Sequence, residues 1–185
     1  MKKDIRIVKT QALLQQALLS LLQHKSLDNI KVAQLCKEAN VSRSTFYLHY
    51  TDVAQLFGEY FEELTDDLRK AYYEPYVRTH FQIENIDSDM IRIFHHVQKH
   101  QTFYKIVFDP NTPLAHYYQF FDLIRSLVRE SVEPHEEDVE FIVSSSANLI
   151  LGFIMQWVRE DFKQTPQQMN EMLLKGNRIG SSVVQ

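Results

Sequence analysis

Apolar positions along the first quarter of the chain recur at helical, not strand, spacing. Leu14, Ala17, Leu18, Leu21 and Leu22 fall on one face of a 3.6-residue repeat, which predicts a first helix over about residues 5–24. The polar stretch "HKSLDNIK" breaks it. Val32, Leu35, Cys36 and Ala39 then share a face and predict a short helix over 32–39. Asn40 follows where a left-handed residue is wanted, a place usually taken by Gly and next most readily by Asn.

The run "VSRSTFYLHY" (41–50) is rich in residues that favour strands, yet its punctuation is helical. Ser42 is a good N-cap, with its hydroxyl in reach of the Ser44 or Thr45 amide. Val41 and Phe46 have the spacing of a hydrophobic staple. Over 43–50, Phe46 and Tyr50 lie one turn apart and point inward, leaving Arg43, Ser44, Thr45, Tyr47 and His49 on the outer sides. Two helices joined by a short turn and braced by a third make a helix–turn–helix unit.

Downstream, "TDVAQLFGEYFEELTDDLRKAYYEPY" predicts one long helix with Pro75 near its end. "DSDMIRIFHHVQKHQTFYKIVF" predicts one or two helices, and "LAHYYQFFDLIRSLVRESV" another, closed by Pro134. "EEDVEFIVSSSANLILGFIMQWVREDF" predicts a strongly apolar helix with an acidic first turn, which suits the helix dipole. In "TPQQMNEMLLKG", Thr165 caps, Pro166 takes the first helical position and Gly176 falls after the end. No strand pair, repeat or low-complexity tract interrupts this series. The fold class is all-α: an N-terminal three-helix unit over 1–51 and a helical body over 52–185.

Composition narrows the partners. The single Cys36 excludes an intrachain disulfide framework and a Cys-rich zinc site. Neither an N-terminal signal sequence nor an unbroken apolar run of about 18 residues is present, so the expectation is a cytoplasmic protein with no membrane partner. The overall charge is −4, but residues 1–50 carry +5 and the remainder −9. That asymmetry points to a polyanion at the N-terminal end.

A recognition helix brings its N-terminal turn to the major groove, where small polar residues permit close approach; Arg43, Ser44 and Thr45 meet that need. Tyr47 and His49 suit phosphate contacts, and Lys9, Thr10 and Lys31 lie at or near helix ends from which adjacent phosphates are in reach.

The residues "ALLSLL", "IKVAQLCKEANVSRSTFYLHY" and "TDVAQLF" carry a resemblance to the DNA-binding domain of TetR-family transcriptional regulators, over residues 9–57. The resemblance implies DNA contacts at Ser44, Thr45, Tyr47 and His49, and packing at Phe46 and Tyr50. Three positions depart from the family pattern. Lys31 replaces the usual Thr at the cap of the second helix, Asn40 replaces Gly, and Val53 stands where a phosphate-binding Lys is frequent.

"IFHHVQKHQTFYKIVF" and "ANLILGFIMQWVREDFKQTPQQM" are similar to the C-terminal domain of the branch related to the activator of dihydroxyacetone kinase genes. That similarity implies a homodimer through the last two helices, with Ile150, Phe153, Ile154, Trp157, Met169, Met172 and Leu173 as candidates. A two-fold dimer suits double-stranded DNA with a palindromic operator. An apolar pocket for an unidentified small-molecule effector is the remaining family feature. Its candidates are Phe61, Leu64, Phe94, His95, Phe103, Tyr104, Tyr117, Phe120, Phe121 and Ile124, residues that would equally serve as filled core.

The functional expectation is a small-molecule-modulated regulator acting as a repressor, the alternative being a co-activator or adaptor working through protein contacts. No cofactor is implied. His96 and His100 are one helical turn apart, but no carboxylate or Cys completes a metal set at standard spacing, so no metal is expected. No Gly-framed Ser or Gly-rich phosphate loop offers catalysis, and no enzyme is expected.

Overall fold

The computed structural model describes residues 5–80, 85–109, 114–131 and 139–182. Among these residues there is no strand, and the fold is all-α. The helices are α1 (Ile5–Leu22), α2 (Val32–Glu38), α3 (Arg43–Tyr47), α4 (Val53–Arg78), α5 (Ile93–Lys99), α6 (Gln101–Val107), α7 (Leu114–Ser131), α8 (Val139–Arg159) and α9 (Pro166–Ser182). The chain divides into two compact units, 1–66 and 67–185. The division falls inside α4, further along than the break between 51 and 52 expected from sequence. The first half of α4 supplies Val53 and Leu56 to the N-terminal core, so the unit needs part of that helix to bury its apolar face.

In the first unit, Leu14, Ala17 and Leu18 of α1 pack with Leu35 and Cys36 of α2, Phe46 of α3 and Tyr50. Phe46 has no exposed surface, and burial of a ring of that size is worth about 2–3 kcal/mol. A five-residue helix cannot persist alone in water; this anchor supplies the missing stability. Gln11 Nε2 donates to Glu59 and Gln15 Nε2 to Glu63, each at 3.0 Å, tying α1 to the first half of α4.

In the second unit, α7 packs along α8, α5 meets α9, and α6 and α9 both contact α8. The fully buried side chain of Asn170 donates through Nδ2 to the carbonyls of Ser88 and Ile91, at 2.9 and 3.1 Å, fixing the turn before α5. Thr165 caps α9 reciprocally: its hydroxyl accepts from the Gln168 amide, and the Gln168 side chain accepts from the Thr165 amide.

Several sequence expectations change. The 41–50 run is helical only to Tyr47, and Pro75 sits within the last turn of α4, which continues to Arg78. Gly176 does not end α9, which runs on to Ser182. A Cβ there would lie 3.4 Å from the Phe153 ring, so the small residue accommodates the neighbouring helix. Pro134 and the acidic residues 136–138 lie outside the described residues. By length and composition α8 can cross a bilayer, with mean hydropathy 1.6, although Ser and Asn interrupt its apolar run. One face of α8 lies in the core of the second unit, through Val143, Ala147, Leu151, Ile154 and Trp157.

Candidate nucleic-acid interface

The turn between α2 and α3 is built from two local devices. Asn40 adopts φ 52°, and around it the Val41 amide donates to Cys36 O at 3.0 Å and the Asn40 amide to Lys37 O at 3.3 Å. That pair of bonds is a Schellman closure, so Asn takes the left-handed place usually held by Gly. Ser42 then caps α3, accepting from the Thr45 amide at 3.0 Å. The same oxygen lies 2.8 Å from Ser44 Oγ and 2.7 Å from Thr45 Oγ1. One cap therefore sets both the start of α3 and the positions of two hydroxyls.

The outer side of α3 carries Arg43, Ser44 and Tyr47, all exposed, with Thr45 and His49 half-buried. The Tyr47 ring is 52 % exposed and stands edge-on to buried Phe46, with centroids 5.5 Å apart. Its position is thus held by the core while about half of the residue stays exposed. Lys31 is the exposed N-cap of α2 and makes no side-chain cap bond. Lys9 is exposed on α1, whereas Thr10 is half-buried and its hydroxyl donates back to Arg6 O at 3.0 Å. Val53 is buried in the core, so the position where the family pattern has Lys is apolar packing here. The start of α3 thus exposes Arg43 and Ser44, and Lys31 is exposed at the start of α2.

The effector candidates split between the units: Phe61 and Leu64 belong to the first, the others to the second. In the second unit Phe103, Tyr104 and Phe120 are buried with centroids 5.6–5.8 Å apart, and Phe108 joins them at 6.0 Å from Phe120. Ile124 and Phe94 are fully buried, Phe94 standing against Trp157. Tyr117 and Phe121 are half-buried, and the Tyr117 hydroxyl donates to Asn148. His95 does not join this set. It is exposed, and its neighbour His96 is the buried one.

The dimer candidates also divide. Ile154 and Trp157 are 1 % exposed, Met169 3 % and Ile150 9 %, because they fill the protomer's own core. Trp157 packs on Phe162 and donates its indole N–H to Gln164 O at 3.0 Å. Such residues have little surface left for a partner. Phe153 and Leu173 are half-buried and Met172 is 42 % exposed. Phe141, 77 % exposed, and Ile142, 42 % exposed, lie further back on α8 and were not singled out in the sequence. A search for exposed apolar positions out of phase with the core face would have found them.

One further cluster corrects an expectation. Asp67, from α4, lies beside His96 and His100, supplying the carboxylate that sequence spacing did not reveal. Burial opposes ionisation of Asp67, but hydrogen bonds from Lys99, His100 and His96 hold its carboxyl well below the usual range. Burial, followed by repulsion from His100, pushes the His96 imidazole down to about 4.

With this geometry in place, the comparisons agree on a class. Residues 14–60 match the family described as bacterial regulatory proteins, tetR family, and residues 84–175 match a transcriptional regulator C-terminal region. The chain belongs to the TetR family of bacterial transcriptional regulators. An uncharacterized HTH-type transcriptional regulator of Bacillus subtilis, YxbF, is 21 % identical over 170 residues, covering 87 % of this chain. The chain spans 43 % of that relative's length.

Solved structures of low sequence identity share the fold. A TetR-family regulator from Syntrophomonas wolfei superposes with TM-score 0.67 at 17 % identity, covering 91 % of this chain and 93 % of that one. NalD, the secondary repressor of the MexAB-OprM multidrug efflux pump in Pseudomonas aeruginosa, gives 0.64 at 17 % identity, with 94 % and 95 % covered. DhaS, a dihydroxyacetone kinase operon activator, gives 0.58 at 18 % identity, with 90 % and 92 % covered.

Proposed function

We propose that this regulator binds a palindromic operator as a homodimer and represses transcription until a small molecule engages its second unit. The observation that carries the DNA-binding part is the α3 end. Ser44 and Thr45 are drawn together by the Ser42 cap, with Arg43 and Tyr47 exposed beside them and Phe46 buried behind. Arg43, Ser44 and Thr45 face the base edges; Lys9, Thr10, Lys31, Tyr47 and His49 hold phosphates. Such a protein works where the chromosome is, in the cytoplasm.

The dimer forms through the outer face of α8 and α9. Phe141, Ile142, Phe153, Met172 and Leu173 offer apolar surface there, and exposed Gly152, with open space around it, lets a second helix come close. Effector binding is assigned to the aromatic set between α6 and α7. Because Phe120 already touches Phe103 and Tyr104, a ligand enters only by parting these rings. Its binding energy is then coupled to helix packing, which is what a switch requires.

A mobility-shift titration with the DNA flanking the protein's own gene tests the reading. Saturable, salt-sensitive binding with preference over random DNA supports it. An intact dimer without such preference at any salt concentration would favour an adaptor working through protein contacts.

A further inference from the structure

His96 and His100 sit one turn apart where α5 gives way to α6, and the helical bond from the His100 amide to His96 O, 3.1 Å, persists across the junction. Their rings are 4.6 Å apart. Asp67 Oδ2 lies 3.2 Å from His96 Nδ1 and 3.1 Å from His100 Nε2. Three donor atoms, each about 2.0–2.1 Å from a tetrahedral metal, stand about 3.3–3.4 Å from one another, so both measured separations fall close to those of a ligand set.

We propose that Asp67 Oδ2, His96 Nδ1 and His100 Nε2 form a three-ligand site for a divalent transition-metal ion of the Zn2+ type, with water completing the coordination. Two imidazoles and one carboxylate suit Zn2+, Co2+ or Ni2+ far better than Mg2+ or Ca2+, which prefer all-oxygen shells. His96 is 3 % exposed, so its ring is held in place before any ion arrives. Its other nitrogen, Nε2, is 3.1 Å from the Tyr104 hydroxyl. Without an ion, Nδ1–H can donate to Asp67 while Nε2 accepts from the Tyr104 hydroxyl; with an ion on Nδ1, the proton moves to Nε2 and is donated to that oxygen. Metal-bound histidines commonly give their second N–H to such an outer partner.

Lys99 is the competing group. Its ammonium is 2.9 Å from the same Asp67 oxygen, and its side chain is 65 % exposed. A flexible, solvated lysine can withdraw when a stronger cation takes its place, but its charge still opposes the ion. This gives the proposal a signature that a purely structural hydrogen-bond cluster lacks: removing Lys99 tightens metal binding, whereas removing a ligand weakens it.

The site is independent of the DNA-binding reading, and so is its test. Untagged full-length protein, stripped with chelator, is titrated with Zn2+ by calorimetry and with Co2+ by visible absorption. One ion per chain is expected, with the intense visible bands of four-coordinate Co2+. His100→Ala and Asp67→Asn each weaken binding at least about tenfold, and Lys99→Ala strengthens it about threefold or more. Helix content by circular dichroism keeps the variants comparable. If Asp67→Asn loses its fold, His100→Ala and Lys99→Ala still give opposite signs. Absence of saturable uptake at millimolar Zn2+ overturns the proposal, as does unchanged affinity in both His100→Ala and Lys99→Ala.

Discussion

Replacing Ser42 by Asp and by Ala separates what this residue does for folding from what it does for DNA. Its oxygen accepts from the Thr45 amide at 3.0 Å and bonds the Ser44 and Thr45 hydroxyls at 2.8 and 2.7 Å. An Ala leaves the first amides of α3 uncapped, a loss of about 1–2 kcal/mol. For a unit of this size each kcal/mol lowers Tm by about 4–8 °C. Asp caps a helix about as well as Ser, so Ser42→Asp keeps the Tm near that of the parent.

In the proposed complex the carboxylate of Ser42→Asp nevertheless stands at the end of α3 that enters the groove, close to the flanking phosphates. At about 6 Å and an effective dielectric constant of about 40, the repulsion is about 1.4 kcal/mol, or about tenfold in affinity for each half-site. Differential scanning calorimetry and fluorescence anisotropy on a labelled operator read the two effects. Ser42→Asp is expected to be stable yet bind a two-half-site operator about a hundredfold more weakly. A stable Ser42→Asp protein binding within twofold of the parent would refute the placement of α3 against DNA. A Ser42→Ala protein of unchanged Tm would refute the capping argument.

Other outcomes follow from the same geometry. Asn40→Gly relieves the left-handed strain at φ 52° and raises stability by up to about 1 kcal/mol, while Asn40→Val lowers it, both measurable by urea titration. Gly58→Ala meets nothing within 4 Å in the interior of α4 and stabilises by about 1 kcal/mol in the same assay. Phe46→Ala empties the centre of the first unit, costs about 3–5 kcal/mol and abolishes DNA binding, with a second calorimetric transition retained from the body. Tyr47→Ala weakens binding to all operators alike, whereas Thr45→Ala also relaxes base preference; equal effects of both on every operator variant would contradict that division.

The helix–turn–helix was legible because its signals are local. A cap three residues from the amide it satisfies, and an Asn where the backbone turns left-handed, are readable from neighbouring residues alone. The body was less legible for a physical reason. Trp157 and Ile154 look like interface residues and core residues in the same measure, since both roles select large apolar side chains; only packing sent them inward. Gly176 read as a helix end because the ring of Phe153, on another helix, is not visible from its neighbours in sequence. Asp67 stands 29 residues before His96, and only the packing of α4 against α5 brings the carboxylate to the two imidazoles. His95 and His96 are adjacent, and the helical phase alone decides that one is exposed and the other buried.

The central claim is that this chain reads DNA through α3, with cations around it holding phosphates. Its most direct test is the salt dependence of operator binding by the intact protein. With Lys9 and Lys31 each meeting one phosphate per protomer of the proposed dimer, the plot of log K against log salt has a slope of about −4, and Lys31→Ala makes it shallower by about 2. A preference for the operator over random DNA with those slopes is the predicted result. A slope unchanged by Lys31→Ala, or no operator preference at any salt concentration, would contradict it.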